Sequence, residues 1–291
     1  HLHASPNVLV VADDATWTAA GDAVTAQLSI NSRFTLHSLG TRVRAEKQIA
    51  DALATHAAAY DIVLAVGSGT INDLCKYAAF VAKKPYAVVA TAASMNGYSA
   101  ANASLLVDGF KQSFTAEPPL AVIADSTILL AAPKRLTRAG IGDTLCRTTV
   151  EADMLLSHLL MDTPYPREIF DKLRAHEETL LTGLMKARDS ETAYIECLMI
   201  ALLDAGDAMT TTGSSAVASQ GEHMLAHTLE LKYDSELLNI MHGELIAITS
   251  VTMSQLQQRM LNGALVVKRM EYSEEQFLRQ FGKRHEQPLR E

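Results

Sequence analysis

A parallel α/β sheet followed by an all-helical half is predicted for this 291-residue chain by two observations. Short apolar runs alternate with amphipathic stretches as far as about Ala132, and strand-like runs stop after Pro133. Strands alternating with helices of about 10–15 residues imply parallel pairing, because each crossover must lie on a face of the sheet.

Taken in order, Asn7 to Ala12 reads as a strand and Ala15 to Leu28 as a helix, with Asp14 as its cap. Arg33 to Ser38 is a short strand and Ala45 to Ala58 a helix. Ile62 to Val66 is a continuous apolar run, as expected of a strand buried on both faces. A helix to about Val81 and a strand over Tyr86 to Ala90 continue the alternation. Thr91 to Pro119 reads as loop or short hairpin, and Leu120 to Ala124 as one more buried strand. The helical half is expected over Arg135–Leu160, Pro166–Arg188, Glu191–Met209, Ala216–Leu231, Leu238–Met260 and Ser273–Phe281. Leu155, Leu159 and Leu160, and likewise Leu198, Ile200, Ala201 and Leu202, read as faces turned to a helical core. The expected domains are residues 1–132 and 133–291, with a ligand cleft between them.

Composition narrows the function. A net charge of −8 argues against a nucleic-acid surface, so any phosphate must be held by local loops. Cys75, Cys146 and Cys197 lack close pairing, which suits reduced thiols and a cytoplasmic setting. No apolar stretch approaches the ~18 residues of a membrane span, and the first residues lack a basic-then-apolar signal pattern. His1 to Ser5 carries no function in this reading.

Two motifs carry chemistry. After the Ile62–Val66 strand comes Gly67-Ser68-Gly69-Thr70, and Ile71, Leu74, Ala78 and Ala79 then take up helical spacing. A strand, a glycine turn and a helix start make an anion site, because free backbone N–H groups point outward and the helix dipole favours negative charge. The turn is neither a Gly-x-Gly-x-x-Gly fingerprint nor a Walker loop, and a Gly-Ser-Gly turn also serves as a plain connector. The second motif is dispersed: Asp143 in Gly140-Ile141-Gly142-Asp143, His223 and His227 four apart, and His242 before Gly243-Glu244. On a helix, positions four apart face the same way. One carboxylate and two imidazoles leave coordination positions open, as a catalytic metal requires. Each histidine alone reads as structural, and only the joint pattern favours a metal.

The ordered set Gly67-Ser68-Gly69-Thr70-Ile71-Asn72-Asp73…Lys76, Thr91-Ala92-Ala93-Ser94-Met95-Asn96-Gly97-Tyr98, Ala139-Gly140-Ile141-Gly142-Asp143, Glu222-His223…His227 and His242-Gly243-Glu244 resembles the glycerol-1-phosphate dehydrogenase family, in its bacterial branch, within the iron-dependent alcohol dehydrogenases. The resemblance implies a Rossmann-like domain followed by a helical metal-binding domain, the dehydroquinate synthase-like fold. It implies hydride transfer between NAD(P)H and dihydroxyacetone phosphate, giving glycerol 1-phosphate. Asp143, His223 and His242 would hold one divalent metal, zinc in the first instance with nickel or iron as alternatives. His227 would face the substrate. Gly67, Ser68, Gly69, Thr70, Asn72 and Asp73 would take the cofactor pyrophosphate, Thr91 and Ser94 the nicotinamide half, and Asp13 would lie near the adenosine ribose.

The chain departs from the family at Asn96, where a substrate-contacting Asp is usual, and at Ala100, where a cofactor-contacting Ser is usual, with Ser99 beside it. The pattern also begins one strand later than in the family. The expected partner is a small phosphorylated triose or glycerol, with no nucleic acid and no membrane span, in a homo-oligomer. A polyol dehydrogenase with unphosphorylated substrate and a 3-dehydroquinate-synthase-like lyase are the alternatives. The lyase would carry Glu at the position of Asp143, a Lys three residues later where Cys146 stands, and Gly-Gly-Gly in the turn.

Overall fold

Alternation of side chains explains the sheet. In the computed structural model, which describes residues 5–186, 190–233 and 240–263 together with 273 and 275–276, β1 (Asn7–Ala12) sends Leu9 and Val11 to one face and Val8, Val10 and Ala12 to the other. β3 (Ile62–Gly67) and β4 (Tyr86–Ala90) divide in the same way, so both faces are apolar and both are covered. The face bearing Leu9, Val11, Val63, Ala65 and Val88 packs on α2 (Lys47–Ala57) and α3 (Gly69–Ala82). The opposite face packs on α1 (Asp14–Asn31) through Ala20 and Val24. Each fully buried Leu or Val contributes about 1.5–3 kcal/mol.

β1 pairs in parallel with β2 (Arg33–Ser38) and with β3, β3 with β4, and β4 with β7 (Ala121–Ile123), giving the order β2-β1-β3-β4-β7. The chain moves outward from β1 to β2 and then returns to the other side of β1 to make β3. The order therefore reverses between β1 and β3, and ligands of open α/β sheets bind at such a reversal, beyond the carboxyl ends of the strands. The Gly67–Thr70 turn lies there.

Thr91–Pro119 contains a hairpin, β5 (Asn102–Val107) with β6 (Phe110–Thr115), turned at Asp108 and Gly109, both at positive φ. The helical part comprises α4 (Ser126–Ala131), α5 (Lys134–Thr144), α6 (Arg147–Met161), α7 (Arg167–Lys186), α8 (Glu191–Thr212), a 3-10 turn (Ser215–Val217), α9 (Gly221–Lys232) and α10 (His242–Leu261). Ile195, Leu198, Met199 and Leu202 of α8 join the same core as the sheet residues Leu9 and Val11. The chain divides into two compact units, His1–Ser254 and Gln255–Glu291. No described helix is long and apolar enough to cross a membrane.

Several expectations are corrected. The cap of α1 is Asp13, whose Oδ1 accepts from the Thr16 N–H at 2.7 Å while Thr16 Oγ1 accepts from the Asp13 N–H. The helix expected over Arg135–Leu160 is two helices, broken at Leu145–Cys146. Leu155, Leu159 and Leu160 are exposed, because α6 buries only Thr149, Val150 and Met154 and its last turns run past that contact. Ile200 is exposed too, while Leu198 and Leu202 are core. β7 is an edge strand, with Leu120 and Ile123 largely open rather than buried. Most of Ser273–Phe281 lies outside the described residues.

Candidate active site

Beyond the carboxyl end of β3, Gly67 closes the strand and α3 starts at Gly69. Neither glycine has a positive φ, so backbone conformation does not require them. A Cβ on Gly67 would strike Ile71, so packing of strand against helix requires that one. A Cβ on Gly69 would meet the Met95 side chain alone, at Cγ (3.3 Å) and Cε (3.9 Å). No rigid backbone neighbour requires Gly69, and a residue without a side chain at a helix start is what close approach of an anion demands.

The side chains next along the turn point inward. Asn72 is fully buried, donating from Nδ2 to Asp73 Oδ1 (2.8 Å) and accepting from the Tyr86 hydroxyl (2.9 Å). Asp73 Oδ2 accepts from the Ser104 N–H at 3.3 Å. Asn72 and Asp73, both expected at the cofactor, have side-chain contacts that brace the turn against β4 and the hairpin. Ala100 is fully buried, and Ser99 beside it donates to the Leu203 carbonyl at 2.7 Å. Thr91 is buried beside the turn, its N–H donating to the Gly67 carbonyl at 3.1 Å, and Ser94 is half-buried. Asp13 stands at the carboxyl end of β1, with one carboxylate oxygen committed to capping α1.

The ionisable cluster depends on close backbone approach. A Cβ on Gly140 would run into the Ala93 carbonyl, one on Gly142 into the Gly243 carbonyl, and one on Gly243 into the Ala139 carbonyl. Those glycines let α5 lie directly against the start of α10 and against the Ala93–Ser94 segment. Arg135 of α5 reinforces the contact with a two-pronged ion pair to Glu244, at 2.7 and 2.6 Å, and Glu244 accepts from the Met241 N–H at 3.0 Å. Asp143 and His242 are brought together as a result.

Asp143 is 1% exposed; its Oδ2 accepts from the Asn96 N–H at 2.9 Å, and its Oδ1 has no hydrogen-bond partner. That Oδ1 lies 3.8 Å from His223 Nε2. One ligand atom from each of Asp143, His223 and His242 falls within 4.8 Å of the others. The rings of His223 and His242 are 5.3 Å apart, and His227 stacks on His242 at 5.4 Å. His227 Nε2 is buried and has no partner. An orphaned carboxylate oxygen facing an imidazole nitrogen is a costly arrangement by itself. A cation held between them relieves it, and this O/N donor set fits a divalent metal.

Electrostatics agree. Burial pushes the Asp143 carboxyl up from its ordinary range, against the opposing pull of His223 and the Asn96 N–H. Lost hydration holds His227 down to about 3 and His242 down to about 4, each helped by the ammonium of Lys111. Burial raises Glu230, but the His242 hydrogen bond and Lys111 outweigh it and bring the group to about 2. Lys111, on β6, thus directs a positive charge at the cluster. Neither Lys111 nor Glu230 was visible to motif reading. The only hint of Glu230 was its spacing, one helical face with His223 and His227.

The turn and the cluster are joined through two neighbouring residues. Met95 stands against Gly69, and the N–H of Asn96 bonds to Asp143. The same segment is held from below by Lys76, 1% exposed, whose Nζ donates to the carbonyls of Gly97, Ala100 (2.9 Å) and Asn102 (3.2 Å).

Residues 1–133 match the iron-containing alcohol dehydrogenase family. The glycerol-1-phosphate dehydrogenase [NAD(P)+] of Geobacillus thermodenitrificans is 32% identical over 266 residues, covering 87% of this chain and 64% of that protein. Its counterpart from Pyrococcus furiosus is 37% identical over 199 residues, covering 66% of this chain and 55% of that protein. The chain thus spans less than two thirds of the length of these relatives. Among solved structures, a probable glycerol dehydrogenase from Sinorhizobium meliloti shares the fold at a TM-score of 0.69 and 21% identity, over 90% of this chain and 74% of that one. This chain is thus similar over most of its length to bacterial and archaeal glycerol-1-phosphate dehydrogenases, and in its first 133 residues to the iron-containing alcohol dehydrogenases.

Proposed function

We propose that this protein interconverts dihydroxyacetone phosphate and glycerol 1-phosphate by hydride transfer with NAD(P), using one divalent metal. The observation that carries the reading is the buried, partnerless Oδ1 of Asp143 facing His223 Nε2 at 3.8 Å, linked through Asn96 and Met95 to the glycine turn. Residues 1–132 would carry the cofactor and residues 133–291 the metal.

Asp143, His223 and His242 would hold the ion, zinc in the first instance with nickel or iron as alternatives. Once bound, it would supply Lewis-acid stabilisation of negative charge on the substrate C2 oxygen. The N–H groups that open α3 near Gly69 and Thr70 would hold the pyrophosphate. Thr91 and Ser94 would flank the nicotinamide, and Asp13 the adenosine. His227, with a partnerless Nε2 beside the metal histidines, would hydrogen-bond the substrate hydroxyl and carry its proton. Asn96 would hold a second hydroxyl through its amide. Lys111 would attract the substrate phosphate, and this charge is what supports a phosphorylated substrate over a plain polyol.

Cys75, Cys146 and Cys197 are not joined in disulfides, which supports the cytoplasmic setting included in this reading. A homo-oligomer is also included, supported by the open apolar Leu155, Leu159 and Leu160. The test is steady-state turnover of dihydroxyacetone phosphate against dihydroxyacetone, with metal content measured on the same sample. Preference for the phosphorylated substrate is expected, and equal kcat/KM for the two would refute the phosphate assignment.

A further inference from the structure

His223 does not face the metal position by helix geometry alone, since its ring has two nitrogens and only one can present a lone pair when the imidazole is neutral. Its Nδ1 lies 2.8 Å from Glu222 Oε1. Adjacent residues on a helix do not normally face one another. Here they meet because Glu222 sits in the first turn of α9 and folds back on the helix start, where Oε1 also accepts from the Gln220 N–H at 2.8 Å. Oε2 accepts from the Thr149 hydroxyl on α6 at 3.0 Å. The carboxylate is wholly buried, so its position is fixed by three donors and its charge has no water to turn to.

His242 has a looser version of the same contact. Its Nδ1 lies 3.3 Å from Glu230 Oε1, with the two side chains 27% and 31% exposed. Glu222, His223, His227 and Glu230 all belong to α9, so a single helix carries the carboxylate for each of the two imidazoles.

We propose that Glu222 is a positioning residue that fixes His223 in the Nδ1–H tautomer and leaves Nε2 bare toward Asp143, with Glu230 doing the same for His242 less tightly. The inference rests on reading Asp143, His223 and His242 as metal ligands. A carboxylate behind a ligating imidazole orients the ring and makes its free nitrogen a stronger donor. Glu222 does not itself act as a ligand: Cys146, Glu222 and His223 are close enough to be considered, but an ion there would have to displace the three hydrogen bonds that Glu222 already accepts.

Long-range ¹⁵N–¹H spectra of the metal-free protein at pH 8 test the tautomer directly. His223 should carry its proton on Nδ1, and a proton on Nε2 would overturn the proposal. Cobalt titration of Glu222→Gln should show affinity weakened ~10–100-fold with an unchanged far-UV spectrum, and Glu230→Gln a smaller loss. Unaltered cobalt affinity in Glu222→Gln would overturn the role, as would a thiolate charge-transfer band in the wild-type cobalt complex, which would put Cys146 in the shell. If Glu222→Gln fails to fold, the spectrum of the unaltered protein decides. Wild-type protein that takes up no cobalt would be a failure of the metal reading, told apart because the tautomer is read without metal.

Discussion

The glycine turn and the histidine cluster meet through Met95 and Asn96, yet they are built from opposite materials. At the turn the side chains are spent inward, Asn72 on Tyr86 and Asp73 on the hairpin, and open backbone is what remains for a ligand. At the cluster the backbone is closed, with glycines 140, 142 and 243 pressed against neighbouring carbonyls, and the side chains are left unsatisfied. Backbone recognition tolerates changes of charge and fails on added bulk. Side-chain recognition fails on loss of a single charge. The two ends should therefore break independently, and under different substitutions.

The largest effect is expected from Asp143→Asn, which keeps an acceptor for the Asn96 N–H and removes the buried charge. Metal content should fall to background and kcat/KM by ~10³-fold or more, about 4 kcal/mol, as read by elemental analysis and assay. At the opposite end, Gly69→Val should weaken NAD(P)H binding ~100-fold, about 2.7 kcal/mol, with metal content near normal. Fluorescence titration measures it, and full affinity would remove the turn from the cofactor site.

Lys76→Met probes what holds the two ends in register. It removes the ammonium donor from the carbonyls of Gly97, Ala100 and Asn102, and the expected cost is about 2–4 kcal/mol of stability, visible as a lower denaturant midpoint. Lys111→Ala should act on substrate alone, raising KM for dihydroxyacetone phosphate ~10-fold, about 1.4 kcal/mol, and hardly touching dihydroxyacetone. Asn96→Asp should be smallest, within ~1 kcal/mol. It is the Asn96 main chain that bonds Asp143, and a carboxylate in place of the amide can still accept from the substrate hydroxyl. A hundredfold change would mean that charge at this position matters.

The same contrast governs what could be read from residues alone. The turn was legible because a strand, a glycine pair and a helix start are contiguous. Asp143, His223 and His242 were legible because rare residue types stand beside glycines. Glu222 and Lys111 were not. Glu222 acts through a neighbour that helical periodicity would turn away from it, and Lys111 comes from a hairpin far from the histidines in sequence. The sheet followed from its apolar runs, whereas the exposed Leu155, Leu159 and Leu160 did not. Periodicity reports that a helix has an apolar stripe, and tertiary partners decide how much of it is covered. The break at Leu145–Cys146 was hidden for a related reason, since no Pro or Gly marks it.

The most direct test measures metal content and NAD(P)H affinity side by side in Asp143→Asn and Gly69→Val. Two independently built ends require that Asp143→Asn lose metal while binding the nucleotide, and that Gly69→Val lose nucleotide while keeping metal. Loss of both properties in either folded variant would contradict the division.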